Sequence, residues 1–179
     1  MKQRLINAKI LTSPGEAIAE GEVRIDGDTI VGIGAPDKTF AAERTYDCGG
    51  NLLMSGFCNA HAHAAMCLFR GAADDMPLES WLYDRIFPLE EHLTEEDIYW
   101  GTMLQIAEYV RGGITCFADM YFHTDAVFAA ANRANLCLAL CGSLNSYDCG
   151  DVLADIARNY DKYNTMSDRV RYIPGLHAE

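Results

Sequence analysis

The sequence predicts an α/β fold in which a small antiparallel β-sheet precedes alternating strands and helices. Residues 1–52 contain short apolar segments separated by turn signals, and Asp26-Gly27-Asp28 is a strong hairpin signal among them. From residue 53 onward, continuous apolar segments alternate with amphipathic ones, as buried parallel strands alternate with helices. This order is typical of the first half of a (β/α)8 TIM-like barrel or of part of an open α/β sheet. We therefore predict two domains, residues 1–52 and residues 53–179.

The first domain is predicted to be a sheet of five short strands. In order, they cover residues 5–11, 22–25, 29–33, 45–48 and 51–54. Ser13-Pro14-Gly15 supplies a turn after the first strand, and Gly49-Gly50 separates the last two. A sheet this short cannot close a sandwich by itself, so we expect an incomplete β-sandwich that takes further strands from elsewhere.

The second domain is predicted to begin with the strand that leads to His61. A short helix is expected over residues 78–87, with Asp74-Asp75 as its N-cap and Pro88 as its end. Thr94-Glu95-Glu96-Asp97 resembles a capping box and predicts a helix that ends at Gly112-Gly113. The remaining predicted elements are strands over 114–118, 136–141 and 170–176, and helices over 124–134, capped by Thr124, and 151–163. Pro174 is unusual within the last of these strands.

Composition excludes several classes of partner. The formal net charge is -12, and such a surface repels nucleic-acid phosphates and anionic lipid. The N-terminus lacks the apolar core of a signal peptide, and the longest apolar run, residues 136–141, is too short to span a bilayer. Seven cysteines without a C-x-x-C pair indicate small buried hydrophobic residues in a reducing compartment. We therefore expect a cytoplasmic protein without nucleic-acid or membrane partners.

Two histidines at the end of the first predicted barrel strand are the main candidate site. His61 and His63 lie in Gly56-Phe57-Cys58-Asn59-Ala60-His61-Ala62-His63, and their i, i+2 spacing places both imidazoles on one face of an extended segment. Two neutral imidazoles there make half of a first shell for a divalent metal. In a parallel barrel, functional residues lie at the C-terminal ends of strands, which also selects residues 119–123, residues 145–148 and His177.

Several other residues that could take part in a site also have a purely structural interpretation. Trp81 can be helix core, Glu90 a solvated carboxylate, Asp119 an N-cap or turn residue, and His123 a cap for the following helix. His92 is interpreted as a solvated residue at a helix end. A complete small α/β domain of four strands is the alternative to an incomplete barrel. No closing element follows the last predicted strand, which favours the incomplete barrel.

The order of these motifs resembles that of the amidohydrolase superfamily of metal-dependent hydrolases. Within it, the sequence is similar to the branch of 5-methylthioadenosine/S-adenosylhomocysteine deaminases, near the guanine deaminases and triazine chlorohydrolases. The stretches that carry this similarity, besides the one around His61, are Leu68-Phe69-Arg70-Gly71, Trp81-Leu82, Pro88-Leu89-Glu90-Glu91, Gly113-Ile114-Thr115, Asp119-Met120-Tyr121 and Gly175-Leu176-His177-Ala178-Glu179.

The resemblance implies a role for each candidate residue. His61 and His63 are expected to bind one divalent metal, Zn²⁺ in the first place and Fe²⁺ as the alternative. Trp81 is expected to line a purine-nucleoside pocket, and Glu90 to accept hydrogen bonds from ribose hydroxyls. His177 is expected to reach the substrate from the end of the fourth strand without binding the metal.

The resemblance also implies what the chain lacks. The family's remaining ligands, a His after strand five and an Asp after strand eight, and its proton-shuttling Glu are expected beyond Glu179, so we expect these 179 residues to be an N-terminal fragment that binds metal poorly and turns over nothing. His177 stands where binuclear relatives carry a bridging lysine, which favours one metal. Ser55 replaces the usual proline of the first motif. No arginine lies in Cys141-Gly142-Ser143-Leu144-Asn145, which disfavours S-adenosylhomocysteine relative to uncharged nucleosides.

We therefore predict a metal-dependent hydrolytic deaminase acting on a small purine-nucleoside-type molecule such as 5-methylthioadenosine, S-adenosylhomocysteine or adenosine. The alternatives are another hydrolase of the superfamily, of the guanine deaminase or triazine chlorohydrolase type, and a truncated protein without catalytic activity. The resemblance further implies that the full-length protein can form homo-oligomers.

Overall fold

The structure is a computed structural model that describes residues 1–144 and 152–176. Residues 145–148 and His177, both selected above as candidate site residues, lie outside the described residues. The chain divides into two compact units, Met1–Ser55 and Gly56–Glu179. None of the helices in the described part of the chain is long and apolar enough to cross a membrane.

The first unit is a five-stranded sheet whose central strand is β1. The strands are β1 (Lys2–Leu11), β2 (Ala19–Asp26), β3 (Thr29–Gly34), β4 (Arg44–Asp47) and β5 (Leu52–Met54). The predicted hairpin is confirmed, because Asp26 pairs with Thr29 and Gly27 takes the positive φ of 65° that its turn requires. Ala8, Ile10 and Val23 form the small core of this unit.

The prediction of a purely antiparallel sheet is wrong. β1 pairs antiparallel with β2, and β2 with β3, but β4 and β5 both run parallel to β1. Turn signals determine how neighbouring strands pair, and they do not determine which side of β1 the chain returns to after β3. The longer connection after β3 brings the chain back to the start of β1, where the Glu43 N–H donates to the Lys2 carbonyl at 2.9 Å.

The second unit contains four parallel strands that are neighbours in chain order, which confirms the α/β class. They are β6 (Phe57–Ala62), β7 (Ile114–Asp119), β8 (Cys137–Leu144) and β9 (Val170–Leu176). The helices are α1 (Leu78–Trp81), α2 (Phe87–Glu90), α3 (Glu95–Arg111), α4 (Thr124–Ala134) and α5 (Val152–Met166). Among the described strands, β9 has a neighbour only in β8, and proline is tolerated on such an edge, as Pro174 shows. The described strands do not close on themselves, so the half-barrel stays a prediction.

The helix expected over residues 78–87 begins at Leu78, as predicted, but its N-cap and its end differ from the prediction. It begins after Pro77 as N-cap, not after Asp74-Asp75, and helical turns continue past Pro88 to Glu90. A π-helical turn, Leu82–Ile86, explains the second difference. Proline lacks an N–H and its ring collides with the preceding turn of an α-helix, whereas the wider π turn just before Pro88 relieves both constraints.

Boundaries of two other helices, α3 and α4, were predicted from their caps. The capping box of α3 is confirmed, since the Asp97 N–H donates to the Thr94 hydroxyl and the Thr94 N–H donates back to the Asp97 carboxylate. α3 ends at Gly112, followed by Gly113 with a φ of 77°. Thr124 is the first residue of α4 and not its cap, because His123 takes the N-cap position.

The cysteines are free in the described part of the chain, and the prediction that they are buried is wrong. Cys58 is exposed and the other five described cysteines are only partly buried. Cys58, Cys116 and Cys137 occupy matching positions on β6, β7 and β8. Side chains alternate between the faces of a sheet, and it is the next residues, Phe117 and Leu138, that enter the hydrophobic core shared with the helices.

Candidate active site at the ends of strands β6 and β7

The structure brings the two predicted metal ligands together. His61 is the second-to-last residue of β6, and His63 directly follows the strand. Their ring centroids are 5.1 Å apart and the rings are nearly perpendicular, at 89°. Two imidazoles bound tetrahedrally to one Zn²⁺, with Zn–N bonds of about 2.0–2.1 Å, place their centroids roughly 5 Å apart. The pair therefore fits two adjacent positions around a single divalent metal.

A hydrogen bond determines which nitrogen of His63 can act as a ligand. Its Nδ1 lies 2.6 Å from the carbonyl oxygen of Met120, the first residue after β7. Because a carbonyl only accepts hydrogen bonds, the ring proton is on Nδ1 and the lone pair of the neutral ring is on Nε2. Nε2 is therefore the nitrogen with which His63 can bind a metal, and the Met120 carbonyl orients the ring for it.

Asp119, the last residue of β7, is a completely buried carboxyl group behind the histidine pair. Its relative exposure is 0%, and its Oδ1 accepts the Ala64 N–H at 2.6 Å. Burial raises the pKa of Asp119 to about 7, although the hydrogen bond from Ala64 acts in the opposite direction. The interpretation of Asp119 as an ordinary N-cap or turn residue is wrong, since the N-cap of α4 is His123.

Glu90 is held beside the pair by Tyr121, which lies in the predicted candidate segment 119–123 but was given no individual role. The Tyr121 hydroxyl donates to Glu90 Oε1 at 2.7 Å, and the Tyr121 ring centroid lies 6.2 Å from that of His63. Burial raises the pKa of the Glu90 carboxyl, while the hydrogen bond from Tyr121 and the electrostatic effect of the nearby His63 ring lower it. Burial and the neighbouring Glu90 raise the pKa of Tyr121, so its hydroxyl stays protonated and donates. Glu90 is therefore not a simple solvated carboxylate.

The other candidates lie outside this cluster. Trp81 ends α1 and is partly exposed. Its backbone N–H donates to the Pro77 carbonyl at 2.8 Å, and its indole makes no hydrogen bond or ring contact within the described residues. His92 is exposed at a helix end, as interpreted from the sequence, with its Nδ1 2.8 Å from the Pro88 carbonyl oxygen. His123 is exposed, and its backbone adopts the left-handed conformation with a φ of 47°. Its side chain makes no capping hydrogen bond.

The described residues supply only part of a metal shell. Within residues 1–144 and 152–176, no group of three or more His, Cys, Asp or Glu side chains is arranged to hold a metal ion. A tetrahedral site takes three or four protein ligands. A metal bound by His61 and His63 therefore needs additional ligands from outside the described residues.

This chain is similar to several proteins of known name or structure. A protein from Acetivibrio thermocellus named 5-methylthioadenosine/S-adenosylhomocysteine deaminase is 50% identical over 145 residues, which cover 79% of this chain and 33% of the relative. One of the same name from Desulforamulus reducens is 42% identical over 181 residues, covering 96% of this chain and 41% of the relative. The crystal structure of an adenosine deaminase from Xanthomonas campestris with bound zinc superimposes with a TM-score of 0.87 at 27% identity, covering 98% of this chain and 42% of that one.

The chain thus spans less than half the length of these two curated relatives, 33% of the first and 41% of the second. Residues 52–177 match the amidohydrolase family, and this segment includes the histidine pair, Asp119, Tyr121 and Glu90. The matched segment is well over half of the chain, and the chain belongs to the amidohydrolase family.

Proposed function

We propose that the protein to which this chain belongs is a metal-dependent hydrolytic deaminase of purine-nucleoside-type substrates. The observation that carries the proposal is the juxtaposition of two parts. The perpendicular His61–His63 pair fits one metal, and the carboxylate of Glu90 is fixed beside it through Tyr121. The names of the relatives, 5-methylthioadenosine/S-adenosylhomocysteine deaminase and adenosine deaminase, support a nucleoside substrate.

The histidines hold and orient the metal, for which we propose Zn²⁺, with Fe²⁺ as the alternative. When bound, a divalent metal supplies a water of lowered pKa that can act as a nucleophile near neutral pH. His63 contributes Nε2, because its Nδ1–H donates to Met120. His61 contributes the second imidazole from the same end of β6.

Glu90 is proposed to bind the ribose. Its Oε1 already accepts the Tyr121 hydroxyl, and a carboxylate has acceptor sites for several hydrogen bonds, so sugar hydroxyls can also donate to it. Trp81 is proposed to line the purine pocket and His177 to reach the substrate from the end of β9. Fixing the ribose orients the amine-bearing ring carbon toward the nucleophile. Because burial raises the pKa of Glu90, we expect nucleoside affinity to fall as the pH drops through that pKa.

Among nucleosides, we propose a preference for those without a carboxylate. The segment Cys141-Gly142-Ser143-Leu144-Asn145 contains no arginine. A carboxylate taken into a pocket without a cationic partner loses hydration that nothing replaces. We expect 5-methylthioadenosine and adenosine to be better substrates than S-adenosylhomocysteine.

The test uses the full-length protein, loaded with Zn²⁺ and compared with the same protein after chelation. Deamination of 5-methylthioadenosine, adenosine, S-adenosylhomocysteine and adenine is followed by release of ammonia. Glu90→Gln is expected to raise the KM for the nucleosides at least tenfold without changing the reaction of adenine, which has no ribose. Glu91→Gln is the matched control, because Glu91 is the exposed neighbour of Glu90. Turnover of none of these substrates, or nucleoside kinetics unchanged by Glu90→Gln, contradicts the proposal.

A further inference from the structure

The end of β7 makes three hydrogen bonds to the three residues centred on His63. The Met120 N–H donates to the Ala62 carbonyl at 3.1 Å. The His63 Nδ1–H donates to the Met120 carbonyl at 2.6 Å, and the Ala64 N–H donates to Asp119 Oδ1 at 2.6 Å. These bonds hold the backbone on both sides of His63 as well as its ring. Only one of the three acceptors, the Asp119 carboxyl, belongs to a side chain.

Asp119 replaces a cap that His63 does not provide. A 3₁₀-helical segment, Ala64–Phe69, begins immediately after His63, which occupies its N-cap position without a side-chain hydrogen bond to it. The first N–H groups of a helical segment have no partner within that segment. Asp119, which is 55 residues away in sequence, accepts the first of them. Without this acceptor, the buried Ala64 N–H is left unpaired unless the segment moves, and His63 moves with it.

Stability by itself does not explain why Asp119 is buried. The side chain is fully buried, and its Oδ2 has no hydrogen-bond partner among the described residues. Burying a carboxyl group with one oxygen unsatisfied destabilises a fold, and an apolar side chain of similar volume avoids that cost. The contribution that an apolar residue cannot make is the hydrogen bond to Ala64.

We propose that Asp119 is a positioning residue whose buried carboxyl group fixes the backbone after His63 and thereby keeps that ring bonded through Nδ1 to Met120, with Nε2 as the metal-binding nitrogen. Naming the metal rests on the proposed function, whereas the arrangement of hydrogen bonds does not. Asp119 itself is not a ligand in this proposal.

The experiment compares Asp119→Asn with Asp119→Leu. The asparagine retains an oxygen that can accept the Ala64 N–H, and the leucine has the same number and branching of side-chain heavy atoms, although it is bulkier, without an acceptor. Long-range ¹H–¹⁵N NMR spectra of the histidine rings, recorded without metal, report the tautomer directly. We expect His63 to remain Nδ1-protonated in the parent and in Asp119→Asn, and to become a mixture of tautomers in Asp119→Leu. His92, whose Nδ1 bonds to a carbonyl at a helix end, is the internal control and should not change.

A second measurement uses the full-length protein and Zn²⁺ in competition with a chromophoric chelator. Loss of an outer-shell partner typically lowers metal affinity about 10- to 100-fold, which we expect for Asp119→Leu, while Asp119→Asn stays within a few-fold of the parent. A purely structural role predicts the reverse pattern, in which stability falls and the His63 tautomer does not change. Neither readout is an activity, so a failed deaminase assay leaves this test intact.

If Asp119→Leu does not fold, hydrogen exchange of the Ala64 amide decides the question. Slow exchange of that amide in both the parent and Asp119→Asn supports the proposal. Exchange as fast as that of exposed amides in the parent overturns it. An Nδ1-protonated His63 with unchanged Zn²⁺ affinity in a folded Asp119→Leu variant overturns it as well.

Discussion

Gly101 allows helix α3 to approach the 3₁₀ segment at backbone distance. A β-carbon placed on Gly101 lies 2.9 Å from Leu68 Cδ1, 3.0 Å from the Ala65 carbonyl oxygen and 3.1 Å from Ala65 Cα. The Leu68 side chain is exposed and can rotate away, but the two Ala65 atoms belong to the backbone of a fully buried residue. Gly101→Ala therefore requires α3 or the 3₁₀ segment to shift.

The magnitude follows from two opposing contributions. Alanine in place of glycine inside a helix stabilises by about 1 kcal/mol, whereas extra volume in a well-packed interface typically destabilises by about 1–3 kcal/mol. Because the contact involves backbone atoms, no change of rotamer relieves it, and the upper half of that range applies. We expect Gly101→Ala to lower the free energy of unfolding by about 1–2 kcal/mol.

Urea unfolding followed by circular dichroism measures this change. Gly112→Ala is the matched control, because Gly112 caps the same helix at a φ of -85° and its β-carbon meets only carbonyl oxygens at 3.5 Å. The control should change stability by no more than about 0.5 kcal/mol. If Gly101→Ala instead stabilises by the amount that helix propensity alone predicts, the inferred backbone contact is wrong.

Three more predictions concern stability. Burial raises the pKa of Asp119 from 3.8 to about 7, so the folded protein retains a proton that the unfolded chain releases, and the free energy of unfolding falls by up to about 4 kcal/mol as the pH rises from about 4 to about 7. Asp119→Asn removes that loss. If urea titrations show that the difference in the free energy of unfolding between parent and variant does not vary with pH, the prediction is wrong. Glu22→Ala leaves Arg4 and Arg24 without their buried partner and should lower the free energy of unfolding by about 3 kcal/mol in the same assay. Glu20→Ala is the control, because Glu20 is exposed on the same strand, and it should change stability by less than about 0.5 kcal/mol. Thr94→Ala removes the cap of α3 and should lower stability by about 1 kcal/mol in thermal unfolding; an unchanged melting temperature refutes this.

The sequence determined those features that depend on residues close together in the chain. The capping box from Thr94 to Asp97 and the turn from Asp26 to Thr29 between β2 and β3 involve groups within four residues of each other, so their hydrogen bonds follow from local geometry. The pairing of His61 and His63 is of the same kind, because alternate residues of a strand share a face. The alternation of apolar strands with helices likewise predicted four parallel strands, and the structure shows that they are neighbours in chain order.

The tertiary structure decided the features that join distant residues. Tyr121 and Glu90 are 31 residues apart, and Asp119 and Ala64 are 55 apart. No local pattern shows that these side chains meet, because their contact depends on how β7 packs against the segments that follow β6. The same reason explains why an ordinary N-cap or turn role stayed open for Asp119, and why Tyr121 was given no individual role although it lies in the selected segment 119–123. The histidine motif thus indicates the chemistry, and the packing at the end of β7 determines which groups orient it.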